Sequence, residues 1–376
     1  MDNRTVAGPS AGYPPDLLSF SFGQLSELLA SLGEPSYRAE QIYPRMQRGI
    51  PPGKMGNIPA KLVAELEERA PYRLPEIARK LVSSVDGTVK YLLRLADGNL
   101  IETVLMRYRH GNTVCVSTQV GCRMGCAFCA STLGGRIRNM TAGEILGEVI
   151  AAGNDSGERV DNIVMMGIGE PLDNYEASTA FIRLVSDPRG GLCIGQRHIS
   201  LSTCGVVDGI DRLAAEKFQI TLSVSLHAHD DAVRDAVMPV NRRWNISELL
   251  AACRRYAGAT GRRISFEYTL ISGKNCGEKD AAALAELLNR ALRRGPMSRY
   301  PIHVNLIPLN SVRERDLRAP DRAQTEAFRQ TLEKHGVRAT VRRTLGPDIN
   351  ASCGQLRRSA AETGDTAGTE NKQEKT

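Results

Sequence analysis

Apolar residues recur along this chain at two periods, and the change from one to the other divides it. In SFGQLSELLASLG, Leu25, Leu28, Leu29 and Leu32 repeat at helical spacing, Ser21 and Gln24 make a capping-box pair ahead of them, and Gly33 follows as a stop. The pattern predicts a helix there and two shorter ones, Arg38 to Gln47 and Ala60 to Arg69, together a small helical accessory domain over residues 16–74. From Ile77 to Val116 the period falls to two, broken at Asp86-Gly87 and Asp97-Gly98. Those are hairpin signals, and they predict a short antiparallel β extension over residues 75–111.

Beyond it the two periods alternate. Strand-like segments run from Thr113 to Ser117, Asn162 to Met166, Ile199 to Ser202, Ile220 to Ser225, Ile264 to Thr269, His303 to Ile307 and Arg338 to Arg342. Amphipathic stretches separate most of them, such as Thr141 to Ala152 with Thr141 and Glu144 as its capping box. Such alternation predicts an α/β fold over residues 112–345, a parallel sheet with helices outside, and some six units point to a full or partial barrel. Barrels of this kind carry their chemistry at the C-terminal ends of the strands. Here the first strand runs into a cysteine triplet, the second into GIGEP (Gly167 to Pro171), the third into STCG (Ser202 to Gly205), the fourth into SLHAH (Ser225 to His229) and the sixth into PLN (Pro308 to Asn310). One shared site is the expectation, with residues 346–358 as a loop beside it. Residues 1–15 and 359–376 are expected to be disordered tails, the latter almost without apolar side chains.

Composition narrows the classes. The 376 residues are 41% hydrophobic, enough for a sizeable core. No run approaches eighteen apolar residues and the N-terminus lacks a signal-like apolar stretch, so a cytoplasmic protein with no membrane partner is expected. Nine cysteines, an odd number, then point to reduced thiols or metal ligands rather than a disulfide framework. The net charge of +7 suits a polyanionic partner and also an ordinary solvated surface.

In GCRMGCAFCAST, Cys122, Cys126 and Cys129 fall within eight residues with no fourth cysteine nearby. A structural zinc site takes four protein ligands, so zinc needs a histidine from elsewhere. Cys-x3-Cys-x2-Cys suits a 4Fe-4S cluster held at three corners, which leaves one iron open for a ligand.

CRMGCAFC followed by a strand ending in GIGEP resembles the radical S-adenosylmethionine (SAM) superfamily. That resemblance implies a partial (β/α)6 barrel, with one 4Fe-4S cluster whose free iron chelates SAM and whose electron releases a 5′-deoxyadenosyl radical. CVSTQVGCRMGCAFCASTLGG, GIGEPLDN, RHISLSTCGVV, SLHA, HVNLIPLN and INASCGQLR follow in the order seen in RlmN-type RNA methyltransferases, over nearly the whole chain between the tails. Members of that family methylate C2 of an adenine in 23S rRNA, and many also the adenine 3′ of the anticodon in some tRNAs. The resemblance implies two SAM molecules per methylation, an electron donor such as flavodoxin or ferredoxin, and a monomer. The nearest rival is the Cfr-type activity at C8 of the same rRNA adenine, although STQVGCRMGCAFCASTLGG is closer to the C2 group. A rival of another class is a non-catalytic, zinc-bearing RNA-binding protein.

Adenine C2 is electron-poor and cannot attack the SAM methyl group, so the family first methylates a cysteine, and a radical then takes hydrogen from that S-methyl. Cys353 in SCGQL matches that cysteine. On residues alone it is either a small apolar filler or, after the basic loop VRRTLGPDIN, a thiolate stabilised by cations. The resemblance assigns Cys115 to release the covalent RNA adduct by forming a transient disulfide. Cys115 shares a strand face with Thr113 and Ser117, facing the barrel interior or simply buried. Glu102 shares its face with Leu100, Val104 and Met106, so it must find a partner or rise in pKa. It matches the family's proposed acceptor of the C2 proton, and a salt bridge to an arginine is the other reading. For SAM the match carries over Gly169, Glu170, Ser202, Ser225, Leu226, His227 and Asn310. Candidate phosphate contacts are Arg45, Arg48, Arg136, Arg138, Arg242, Arg243, Arg342 and Arg343, each with a salt-bridge alternative. Cys204, Asn350 and Ile168 stand where the family more often has serine, aspartate and methionine.

Overall fold

The structure, a computed structural model, describes residues 15–293 and 302–356. The expected tails lie outside the described residues apart from Pro15.

Three helices open the chain: α1 (Phe22–Ser31), α2 (Tyr37–Met46) and α3 (Ala60–Arg69). The capping box before α1 forms, with Ser21 Oγ accepting from Gln24 N at 3.3 Å and Gln24 Oε1 accepting from Ser21 N at 2.9 Å. Leu25 and Leu29 of α1, Ile42, Tyr43 and Met46 of α2, and Leu62 and Leu66 of α3 make a core of their own. This unit docks on the rest through polar contacts, among them Tyr43 OH to Asp187 Oδ2 at 3.2 Å and Gly143 N to Ser19 Oγ at 2.9 Å.

Strands β1 (Glu76–Val82), β2 (Val89–Arg94), β3 (Leu100–Tyr108) and β4 (Gly111–Cys115) form the antiparallel meander. Its first two turns carry Asp86-Gly87 and Asp97-Gly98; the third, at Arg109-His110, has no such signature. The short strands β5 (Gln119–Gly121) and β6 (Arg136–Asn139) pair only with each other. After α4 (Ala142–Ser156) the chain alternates β7 (Asn162–Met165), α5 (Tyr175–Ser186), β8 (Ile199–Thr203), α6 (Val207–Glu216) and β9 (Thr221–Ser225). Two helices, α7 (Asp231–Val237) and α8 (Ile246–Thr260), fill the next crossover. Then come β10 (Ile264–Leu270), α9 (Glu278–Leu292), β11 (His303–Pro308), α10 (Arg322–Lys334) and β12 (Arg338–Val341).

All but β5 and β6 join one ten-stranded sheet, in the order β1-β2-β3-β4-β7-β8-β9-β10-β11-β12. From β4 onward every pairing is parallel, giving six strand-helix units closed by β12. The strand β4 pairs antiparallel with β3 on one edge and parallel with β7 on the other, so meander and barrel share a single ladder. The main core lies between sheet and helices, where Ile145, Phe181, Leu213, Leu249, Leu284 and Phe328 are buried against Val114, Ile163, Leu201, Leu222, Phe266 and Val304. Two smaller apolar clusters lie apart from it, one round Cys115 and one round Cys126.

Candidate active site

The cysteine loop follows β5, and its start is fixed by Gly121, whose φ of +75° is left-handed. A Cβ there would fall 1.9 Å from the Gly135 carbonyl, so only glycine lets β5 and β6 close at that point. Farther on, Ala127 N donates to Val237 O at 2.9 Å and Ala130 N to Gly354 O at 2.7 Å. The loop is therefore pinned both to the barrel and to the C-terminal segment.

Cys122, Cys126 and Cys129 line a cavity of about 930 Å³ that opens at the C-terminal ends of the parallel strands. Among the described residues no three ligating side chains close on one point as a lone ion would require. The thiols stand instead round a shared space, which suits a cluster of several irons. Burial pushes all three up, Cys122 to about 12, so only a bound cation of high charge would hold them as thiolates. Three soft sulfur donors facing one cavity fit an iron–sulfur cluster.

The SAM residues expected from the sequence gather on the same cavity, with one exception. Gly169, Glu170, Ser202, Ser225, His227 and Asn310 all line it. Gly169 has φ +109°, and a Cβ there would lie 2.7 Å from Gln119 Cβ. Glu170 Oε1 accepts from Leu172 N at 3.0 Å and Oε2 from Cys204 N at 2.7 Å, while burial raises its pKa. His227 Nδ1 accepts from Thr269 N at 2.8 Å, which leaves the ring proton on Nε2. Burial, helped by the Arg234 guanidinium, lowers His227 to about 3 and keeps the imidazole neutral. The exception is Leu226, whose side chain packs in the main core and whose N–H and carbonyl bond Glu267 O and Arg234 Nε.

Sequence reasoning missed Arg234, which gathers these strand ends. Fully buried, it donates from Nη2 to Cys204 O at 2.7 Å and Ser225 O at 3.1 Å, and from Nη1 to Asn241 Oδ1 at 2.9 Å. It looked like one surface arginine of α7 among many.

Cys353 borders this cavity and also a second one, of about 520 Å³, shared with Cys115, Met106, Tyr108, Met166 and Arg342. Asn310 Nδ2 holds the Cys353 carbonyl at 3.0 Å. Burial, then the neighbouring Cys353 sulfur, raises the Cys115 thiol, and Arg342 pulls the other way.

Of the candidate phosphate contacts, Arg342 turns inward, its Nη1 3.9 Å from Glu267 Oε2, and its positive charge is favoured first by Cys353. Arg136 pairs with Asp173 at 2.7 Å, Arg138 with Asp97 at 2.6 Å and Glu144 at 2.8 Å, and Arg243 with Asp208 at 3.5 Å. Arg45, Arg48, Arg242 and Arg343 are exposed. Glu102 pairs with Lys90, 3.1 Å away, and shares its β3 face with Val104 of the Cys115 cluster.

A barrel whose strand ends bring three thiols, a glycine-lined acidic loop and a neutral histidine to one cavity defines a class, and the model of the Radical SAM superfamily matches residues 116–288. Full-length relatives narrow it. "Probable dual-specificity RNA methyltransferase RlmN" of Pelotomaculum thermopropionicum is 49% identical over 97% of this chain and 98% of its own. A protein of the same description from Clostridium perfringens strain 13 is 49% identical over 92% of this chain and 97% of its own. The chain belongs to the RlmN family of radical SAM RNA methyltransferases. The crystal structure of a radical SAM methyltransferase from Sphaerobacter thermophilus superposes with a TM-score of 0.85 at 45% identity, covering 92% of this chain and 99% of that one.

Proposed function

We propose that this enzyme methylates C2 of an adenosine in the peptidyl-transferase region of 23S rRNA and of the adenosine 3′ of the anticodon in some tRNAs. The observation that carries the reading is that Cys115 and Cys353 face one cavity, beside the cavity lined by the cluster cysteines. A direct methyl transfer has no use for such a pair, whereas a covalent route needs both. The dual specificity in the relatives' names supports two RNA substrates.

A 4Fe-4S cluster held by Cys122, Cys126 and Cys129, when bound, supplies the electron that cleaves SAM. Glu170 accepts from the SAM ammonium, Ser202 and Ser225 bond its ribose or carboxylate, and His227 presents its Nε2 proton to the same cavity. Cys353 takes a methyl group from a first SAM; a second SAM yields the radical that removes hydrogen from that methyl, and the resulting carbon adds to C2 of a flipped-out adenine. Cys115 then attacks the Cys353 sulfur and the S–CH2 bond breaks as the disulfide forms; Glu102 accepts the C2 proton, the freed CH2 takes up the proton given up by the Cys115 thiol to become the methyl group, and the one unpaired electron returns to a bound cluster. A monomer in the cytoplasm, reduced by a flavodoxin or ferredoxin, completes the reading.

Anaerobic incubation with SAM, reductant and unmodified RNA, followed by nucleoside mass spectrometry, tests it. The expected product is 2-methyladenosine; 8-methyladenosine alone would assign C8 chemistry. Cys353→Ala is expected to abolish methylation, whereas Cys115→Ala traps protein on RNA as a denaturant-resistant adduct. Normal release of methylated RNA by the Cys115 variant removes that thiol from the mechanism.

A further inference from the structure

Lys90 has no role in the chemistry above, yet it is buried between two of its parts. It stands on β2 opposite Val104 of β3, which sets its side chain diagonal to Glu102 on the same sheet face. Its ammonium is 3.1 Å from Glu102 Oε1 and donates to the Asn350 carbonyl at 3.3 Å. The Lys90 and Glu102 side chains are 4% and 1% exposed. A lysine is almost never buried so fully unless paired, and this one is shared between a carboxylate and the loop that carries Cys353.

The β1–β2 hairpin clasps that loop at two further points. Asp348 Oδ1 accepts from Ser83 Oγ at 2.6 Å and its Oδ2 from Ser84 N at 2.9 Å, while Asp86 Oδ2 accepts from Gly346 N at 3.0 Å. Asn350 itself sits at φ +49°, a left-handed conformation that must be held by its surroundings. The Asp348 clasp is at the surface. Of the three, Lys90 makes the contact that leads inward to Glu102.

The geometry points to Lys90 as a positioning residue for adduct release: its ammonium gives the buried Glu102 carboxylate a counter-charge and fixes it relative to the Cys353 loop. This rests on Glu102 as the C2 proton acceptor. Losing that nearby positive charge shifts a buried carboxylate toward its neutral form, which cannot take a proton. A merely structural Lys90 would, when replaced, lower stability and slow every step alike.

Single-turnover reactions on unmodified RNA separate the two. Lys90→Met is expected to cleave SAM to 5′-deoxyadenosine and form the Cys353–RNA adduct, but to release it roughly a hundredfold more slowly. Lys90→Arg, which keeps the charge, recovers release to within about tenfold. The Lys90→Met, Glu102→Gln double variant leaves no lone charge inside, and is expected to melt near the wild-type temperature while releasing as slowly as Lys90→Met. In cluster-free protein, Lys90→Met also makes Cys353 alkylate several-fold faster, because its loop has lost a clasp. Release at the wild-type rate in Lys90→Met overturns the proposal, as does joint loss of SAM cleavage and adduct formation in the double variant. Failure of the underlying reading looks different: wild-type enzyme then makes no 2-methyladenosine, or Glu102→Gln releases product normally.

Discussion

Asp16 is buried at the docking edge of the helical unit, with Oδ1 accepting from Leu18 N at 3.0 Å and Oδ2 lacking a hydrogen bond among the described residues. Burial raises its pKa from 3.8 to about 7. A folded-state value above the unfolded one means that the folded chain keeps a proton the unfolded chain has released. Stability from this group is therefore full below the ordinary carboxylate range and is lost as pH climbs toward 7. Asp16→Asn, which can still cap Leu18 N, is expected to stabilise the protein more at pH 8 than at pH 5, by on the order of 2 kcal/mol. Urea unfolding at the two pH values checks it; an equal gain at both would mean that Asp16 does not titrate in this window.

Among the elements, the β5–β6 pair is the smallest and the one on which the cysteine loop hangs. Gly121→Ala would drive a methyl group into the Gly135 carbonyl at a left-handed position, so the pair must part. The expected result is a protein that melts cooperatively but takes up less than about half the wild-type iron on reconstitution, the loop having lost its fixed start. Normal iron content in that variant would show that the loop is held from elsewhere. This pair also marks where the sequence stops being legible. The capping boxes of α1 and α4 could be read in advance because their partners are three residues apart, and the barrel strands because strand-like and helix-like periods alternate along the chain. Three-residue strands have no periodicity to detect. The Lys90–Glu102 pair depends on a cross-strand register, and Asp173 for Arg136 and Asp97 for Arg138 come from loops about forty residues away in the chain, so charge alone could not tell a phosphate contact from a salt bridge. Leu226 was carried over with its neighbours, but the turn after β9 sends its side chain into the core.

At the scale of the molecule, the basic excess divides into arginines tied to carboxylates and exposed arginines without a carboxylate partner among the described residues. Arg45 on the helical unit and Arg343 at the mouth of the Cys115 cavity are both exposed, whereas Arg138 is tied to Asp97 and Glu144. Arg45→Ala and Arg343→Ala are each expected to lower the slope of log affinity for RNA against log salt by about 1. Arg138→Ala leaves the slope unchanged and costs stability. Titrations at several salt concentrations distinguish them, and unchanged slopes for both exposed arginines would move the RNA footprint elsewhere.

The shared ladder at β4 also bears on how such a chain could be taken apart or recombined. Residues 17–70 keep most of their apolar side chains in a core of their own, so a splice near Pro75 cuts no strand pairing. A splice at Gly111 would bare a strand edge on each half, and each would seek a stranger to pair with. The meander is thus inherited with the barrel, and the lysine it carries travels with the cysteines.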